Sequence, residues 1–159
     1  MREMRWLALI AVLVLASGMA DAVSARETLF LRDNWHMQSS SLVKATGETV
    51  STCAFSPHGW HPISVPVTVL AALVKNGVYP DPYYGQNLKA IPGYREGRWL
   101  VMPADSPFRV PWWYRTEFRL PANYRNRDIA LHLDGINYRA NIWLNGHKVA
   151  GSDTMVGMF

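Results

Sequence analysis

The stretch that decides the fold lies at residues 139–149 and reads RANIWLNGHKV. At its centre, Asn145-Gly146 accommodates the positive φ angles of a type I′ turn, the connection that two-residue β-hairpins prefer. Residues 139–144 precede this turn and residues 147–149 follow it, and these two segments supply the strands. The stretch therefore predicts a β-hairpin.

Segments before the hairpin show the period of two that half-buried strands have. Residues 35–39, 114–120 and 129–133 each alternate in this way, so we predict three further strands. In the second of them Glu117 shares a face with Arg115 and Arg119, which we interpret as a solvent-exposed ladder of charges. Short strands broken by Pro, Gly and Asn are typical of an all-β sandwich or barrel.

A single helix is predicted, at residues 67–76. Pro66 stands at its entry, and Gly77 can adopt the left-handed conformation that ends a helix. Its apolar residues fall on one side: Leu70, Leu73 and Val74. We expect this short helix to pack across one end of the sheets.

Between residues 78 and 111 the chain is rich in proline, which leaves few backbone donors for a sheet and predicts a long ordered loop. Its many Tyr and Trp residues argue against disorder. Aromatic rings offer an apolar face to the C–H side of a pyranose, so sugar binding is one hypothesis for this loop. The alternative is that most of these rings fill the core.

The first 25 residues predict a secretory signal peptide, because Arg2 and Arg5 precede an apolar run from Trp6 to Ala16. Cleavage is expected after Ala22 or Ala25. The run is too short for a membrane span, which takes about 20 residues. We therefore expect a secreted or periplasmic protein with no membrane attachment after cleavage.

Composition excludes several classes of function. The 159 residues carry a formal charge of +4, but the basic residues are scattered, so no nucleic-acid partner is expected. His58 and His61 lack nearby cysteines or carboxylates, so neither a metal site nor another cofactor is predicted. No two glutamates have the pairing that a glycosidase needs. Cys53 is the only cysteine, and we expect it to be a buried apolar residue.

Four stretches carry a family resemblance that extends over essentially the whole chain from Leu29 to Phe159. They lie at residues 65–70 (VPVTVL), 76–87 (NGVYPDPYYGQN), 112–115 (WWYR) and 133–146 (LDGINYRANIWLNG). In this order they resemble the N-terminal sugar-binding domain of glycoside hydrolase family 2, in particular that of exo-β-D-glucosaminidases, with β-mannosidases next.

The resemblance implies a galactose-binding-like jelly-roll β-sandwich over residues 26–159, incomplete at its C-terminal end. It also implies that this module is not catalytic, because in the family a (β/α)8 barrel supplies the two catalytic glutamates and immunoglobulin-like domains precede that barrel. Those domains of the same polypeptide and a β-linked amino-sugar oligosaccharide are the implied partners. A free-standing carbohydrate-binding or purely structural sandwich is the alternative.

By the same resemblance, the loop at residues 81–87 lies toward the mouth of the barrel's active site. Asn87, and more weakly Tyr84, are then the residues expected to contact sugar. An Asn side chain has both a donor and an acceptor for a hydroxyl group. The alternative is that Asn87 caps the backbone of its own loop.

Overall fold

The computed structural model describes residues 27–94, 102–151, 153 and 156–158. The predicted signal peptide at residues 1–25 lies outside these residues, as do residues 95–101 of the long loop. Within the described part, short strands predominate and the helices are few and short, in agreement with the predicted all-β class. No helix in this part is both long enough and apolar enough to cross a membrane.

The elements are short and follow one another in chain order. The strands are β1 Trp35–Ser39, β2 His61–Ile63, β3 Trp112–Thr116, β4 Ile136–Arg139, β5 Ile142–Leu144, β6 His147–Ala150 and β7 Val156–Met158. The α-helices are α1 Gly47–Val50 and α2 Val69–Lys75, and 3-10 turns lie at Ser40–Leu42, Asn87–Ala90 and Ala122–Tyr124. All strand pairs are antiparallel, in the orders β2-β1-β3, β4-β7 and β5-β6.

One face of the β2-β1-β3 sheet forms the core with α2. Met37 of β1 is fully buried and lies opposite Tyr114 of β3. Ala72 and Leu73 of α2 pack in the same cluster of buried side chains. Since removing apolar surface from water is the main favourable contribution to folding, this contact fixes α2 on the sheet.

Helix α2 confirms the predicted helix, with a start two residues later than expected. The Thr68 hydroxyl accepts a hydrogen bond from the Ala71 N–H at 3.3 Å, so Thr68 is the N-cap and the helix begins at Val69. At the other end Gly77 has a φ of +72°, the left-handed conformation expected of it. The short helix α1 was not predicted.

The second face of the same sheet carries a buried charge, which corrects the prediction of a solvent-exposed ladder. Arg115 is only 7% exposed. Its guanidinium donates to the carbonyl oxygens of Val50, Thr52 and Phe55 at 2.8, 2.9 and 3.0 Å and also pairs with Glu117. It lies 5.6 Å from the centre of the Phe55 ring. One side chain thus holds residues 50–55 against the sheet, a contact between distant segments that strand alternation cannot reveal.

The predicted hairpin forms and packs against α1. Its strands β5 and β6 are joined by Asn145 and Gly146, whose φ angles are +50° and +86°. The Gly146 N–H donates to the Ser51 hydroxyl at 2.9 Å. The hairpin is therefore attached to the turn that ends α1.

Three other predictions differ from the structure. Strand β3 ends at Thr116 and not at residue 120, because Thr116 pairs with Trp35, the first residue of β1, and no partner continues beyond it. Residues 129–133 form no strand, and Ile129 and Leu131 are about half exposed. Cys53 is exposed and not buried, since it lies on the surface loop whose carbonyl groups bind Arg115.

Candidate functional site

The loop that holds the predicted sugar-contact residues begins with a turn fixed by Asp81. The carboxylate of Asp81 accepts a hydrogen bond from the Tyr83 N–H at 2.9 Å, and its carbonyl oxygen accepts one from the Tyr84 N–H at 3.2 Å. Between them, Pro82 holds the backbone at the φ angle that the second position of such a turn requires. Both tyrosines therefore project from a defined backbone.

After the turn, the chain reverses and enters a 3-10 turn. Gly85 has a φ of +55°, a conformation that favours glycine. The Asn87 N–H then donates to the Tyr84 carbonyl oxygen at 3.1 Å, and Asn87–Ala90 forms the 3-10 turn. Ile91, directly after it, is buried. Successive hydrogen bonds between residues three apart in sequence thus order the segment.

The loop is attached to the body of the protein on both sides. Before it, the Tyr79 ring packs against Phe108 with the ring centroids 6.2 Å apart, and both rings lie against the core under α2. After it, Ile91 is buried. Most residues between Tyr79 and Ile91 are exposed to solvent.

The predicted site residues differ in how far they extend into solvent. Tyr84 is 77% exposed, whereas Asn87 is half-buried. The backbone of Asn87 takes part in the turn, but its side-chain amide has no hydrogen-bond partner within the part of the chain that the structure describes. Sugar contact and capping of its own loop both stay predictions for Asn87.

Tyr83 is a residue that sequence reasoning missed. Its side chain is 96% exposed, more than that of any other large apolar or aromatic residue described. The sequence offered a signal, since an Asp two residues before it can accept its backbone N–H. The pattern of aromatic residues alone does not separate core rings from surface rings.

The exposed groups of this loop offer apolar faces and hydrogen-bonding groups to a ligand. Tyrosine rings have apolar faces and polar hydroxyl tips, and the Asn87 amide can both donate and accept hydrogen bonds. The acidic group of the loop, Asp81, is already bound to backbone N–H. A pyranose, with an apolar C–H face and a rim of hydroxyl groups, fits these groups.

The described glutamates lie in three separate places. Glu27 contacts Asn123 at 2.6 Å and Arg127 at 3.6 Å, Glu48 lies in the first turn of α1, and Glu117 pairs with Arg115. Two of the three are thus engaged in contacts that hold segments of the fold together. Among the described residues, no three His, Cys, Asp or Glu side chains are grouped so that they could hold a metal ion.

Burial raises the pKa of one tyrosine. Tyr114 faces the core, and loss of solvent around its hydroxyl raises the pKa above the usual 10.0. The hydroxyl donates to the Val67 carbonyl oxygen at 3.2 Å, so it supports the segment that leads into α2. It is a structural group.

The chain matches a family model and several known proteins. The model for glycosyl hydrolase 2 galactose-binding domain-like sequences matches residues 35–159. The chain is 35% identical over 123 residues to an exo-β-D-glucosaminidase of Amycolatopsis orientalis, which covers 77% of this chain and 10% of that protein. It is 32% identical to an exo-β-D-glucosaminidase of Streptomyces avermitilis (77% and 12%) and to a mannosylglycoprotein endo-β-mannosidase of Lilium longiflorum (74% and 12%).

A solved structure of a related enzyme also matches this chain. The crystal structure of the Amycolatopsis orientalis exo-chitosanase CsxA matches with a TM-score of 0.57 and 31% sequence identity, over 79% of this chain and 13% of that one. The chain thus spans only about a tenth of the length of the relatives it matches. Together with the family model, the match confirms the predicted galactose-binding-like β-sandwich.

Proposed function

Since the chain belongs to the glycosyl hydrolase 2 galactose-binding domain-like family, we propose that it is the N-terminal, non-catalytic module of an exported exo-β-D-glucosaminidase. The observation that carries this proposal is the likeness to the Amycolatopsis exo-β-D-glucosaminidase in sequence. A variant of the Amycolatopsis exo-chitosanase has been solved in complex with PNP-β-D-glucosamine. We propose the same class of substrate, a β-linked glucosaminide as found in chitosan-type oligosaccharides, for the protein that contains this module.

In this proposal the chemistry belongs to another part of the polypeptide. Retaining hydrolysis takes two carboxyl groups about 5–5.5 Å apart, one acting as nucleophile and one as acid and then base. The described glutamates of this module are dispersed, and two of them are engaged in structural contacts. A (β/α)8 barrel further along the polypeptide would supply the pair of glutamates.

The contribution of the module is the loop that begins at Asp81. Tyr84 and Asn87 would contact the sugar at the mouth of the catalytic site, Tyr84 by stacking and Asn87 by hydrogen bonds to hydroxyl groups. The exposure of Tyr84 supports this role. Because the loop is ordered before any sugar binds, little conformational entropy is lost on binding.

We further propose that the protein is exported, by virtue of the signal peptide predicted at residues 1–25, and that it acts outside the cytoplasm. N-terminal sequencing of the protein from the culture medium or periplasm tests this. A mature chain beginning at residue 23 or 26 is the expected result. A protein that retains Met1 inside the cell would contradict it.

The activity is tested on the full polypeptide that the gene encodes. We expect release of p-nitrophenol from PNP-β-D-glucosamine at a higher kcat/KM than from the matching β-mannoside or β-galactoside, and a product with the β configuration by NMR. A product of inverted configuration would overturn the retaining mechanism. Binding of glucosamine oligomers without any hydrolysis would support a carbohydrate-binding module instead. If the protein neither bound nor hydrolysed them, a purely structural sandwich would be supported.

A further inference from the structure

Two asparagine–glycine pairs lie at turns of this fold, Asn76-Gly77 at the end of α2 and Asn145-Gly146 between β5 and β6. Asparagine is among the chemically labile residues of proteins. It is most labile before glycine, because a residue without a side chain does not shield its own backbone nitrogen. Neither pair takes part in the proposed contacts with sugar, and each is a candidate for chemical modification of the folded chain.

The reaction at such a pair is an attack by the backbone on the preceding side chain. The glycine nitrogen loses its proton and attacks the side-chain carbonyl carbon of the asparagine. A carbon–nitrogen bond forms in a cyclic succinimide, the bond to the side-chain amide nitrogen breaks, and ammonia leaves with the displaced proton. Water from the solvent then opens the ring at either carbonyl group, which leaves aspartate or isoaspartate. A hydrogen bond that engages the glycine N–H opposes the first step.

At the first pair, both reacting groups are engaged. The Asn76 Nδ2 donates to the carbonyl oxygens of Pro62 at 3.1 Å and Ala72 at 2.9 Å, so the leaving group is held in place. The Gly77 N–H donates to the Val74 carbonyl oxygen at 2.9 Å. Loss of any one of these bonds would leave the others in place.

At the second pair, one hydroxyl group engages the attacking nitrogen. The Gly146 N–H donates to the Ser51 Oγ at 2.9 Å, between residues 95 positions apart in the chain. The Ser51 hydroxyl in turn donates to the Glu48 carbonyl oxygen at 3.5 Å, and its oxygen keeps lone pairs for the Gly146 N–H. Because Ser51 follows the last residue of α1, this bond depends on the packing of the hairpin against that helix.

We propose that Asn145 is a site of spontaneous deamidation that the Ser51 hydroxyl protects in the folded protein. While the Gly146 N–H is bonded to Ser51, breaking that bond adds to the cost of removing its proton. The modification would also damage the hairpin. Isoaspartate adds a backbone atom to a turn whose two-residue length sets the register of Trp143 opposite Lys148. This inference does not depend on the proposed function.

The test follows deamidation of the full-length protein in mildly alkaline buffer by peptide mass spectrometry. We expect residue 145 to deamidate more slowly in the folded wild type than in the same protein unfolded in guanidinium chloride. Ser51→Ala should raise the rate in the folded protein by roughly twofold to tenfold, the factor that corresponds to the net contribution of one hydrogen bond. Asn76, whose contacts are unchanged, is the reference within each sample.

Thr52→Val is the matched control. It removes a neighbouring hydroxyl group, which donates to the Thr49 carbonyl oxygen at 2.9 Å, and it should leave the rate at residue 145 at the wild-type value. Ser51→Thr retains a hydroxyl group and should deamidate more slowly than Ser51→Ala. An unchanged rate in Ser51→Ala, or an equal rise in Thr52→Val, would overturn the inference. A folded wild type that deamidates at residue 145 as fast as the unfolded protein would overturn it as well.

Discussion

The indole ring of Trp143 lies directly against the α-carbon of Gly47, so that strand β5 and helix α1 meet with no room for a side chain between them. A Cβ atom added to Gly47 would overlap the Cε2, Nε1 and Cδ2 atoms of Trp143. The hairpin turn is bonded to the same region through Gly146 and Ser51. Two contacts of different kinds therefore hold the hairpin on α1.

Gly47→Ala should destabilise this contact. Alanine is favoured over glycine in a helix by about 1 kcal/mol, but crowding a packed site costs typically about 1–3 kcal/mol, so we expect a net loss. Hydrogen exchange in the full-length protein should become faster at residues 142–150. Gly135→Ala is the matched control, since a Cβ there meets no atom within 4 Å. Equal exchange rates in the two variants would contradict the prediction.

Arg115→Lys should loosen residues 50–60. A lysine has no planar fork and cannot reproduce the contacts with three carbonyl groups, so we expect a loss of about 2–3 kcal/mol in local stability. Hydrogen exchange at the Phe55 and Trp60 amides, which are bonded within this segment, reports the effect. Arg119→Lys, at an exposed arginine just after β3, is the control and should not change these exchange rates.

Glu117→Gln should have a much smaller effect than Arg115→Lys, although the two side chains are paired. Glu117 is 52% exposed, and exposed ion pairs typically contribute about 0–1 kcal/mol. The carbonyl contacts of Arg115 remain in this variant. If hydrogen exchange at Phe55 rose as much in Glu117→Gln as in Arg115→Lys, the ion pair and not the carbonyl contacts would be what holds the segment.

The raised pKa of Tyr114 predicts that the folded protein loses stability in alkaline solution. Because burial raises its pKa in the folded protein, the unfolded chain ionises first as pH rises above the usual 10.0. The contribution of Tyr114 is thus complete below pH 10 and is lost as pH rises through the folded-state pKa, by at most about 1.4 kcal/mol per pH unit. Urea unfolding of the wild type and of Tyr114→Phe at pH 8 to 11 should show a difference that shrinks or reverses as pH rises. A constant difference would contradict this.

In the full-length enzyme, Asn87→Ala should reduce kcat/KM for the aryl glucosaminide and for the oligomers alike, by roughly tenfold, because the proposed hydrogen bond to the sugar would be lost. Asn137→Ala changes an exposed asparagine of β4 and serves as the control. Steady-state kinetics on both substrates is the measurement. If Asn87→Ala had wild-type kinetics, the proposed contact between Asn87 and the sugar would be contradicted.

The parts of the fold that were predicted correctly are those in which neighbours in the chain decide the backbone. The Asn145-Gly146 turn and the Gly77 helix end depend on φ angles that few residues adopt, so they are visible in the sequence. The missing strand at residues 129–133 and the buried Arg115 are different, because they depend on which distant segment lies alongside. A period of two defines two faces, but it does not supply a partner for either of them.

For the candidate site, family resemblance indicates Asn87 and Tyr84, and their contact with sugar stays a prediction. The exposure of Tyr83 is visible only in the structure, because the short turn at Asp81 decides which rings reach solvent. Aromatic residues elsewhere in the same region, such as Tyr79 and Phe108, fill the core.

Arg115 binds the loop at residues 50–55 through its main chain, and this has a consequence for how that loop can vary. Every residue type has a carbonyl oxygen, so exchanges at Thr52 or Cys53 leave the oxygen acceptors in place. Inserting or deleting one residue between Val50 and Phe55 would instead move those oxygens away from a guanidinium whose position is fixed by the sheet. The loop can therefore change in composition while its length is set by the reach of one arginine.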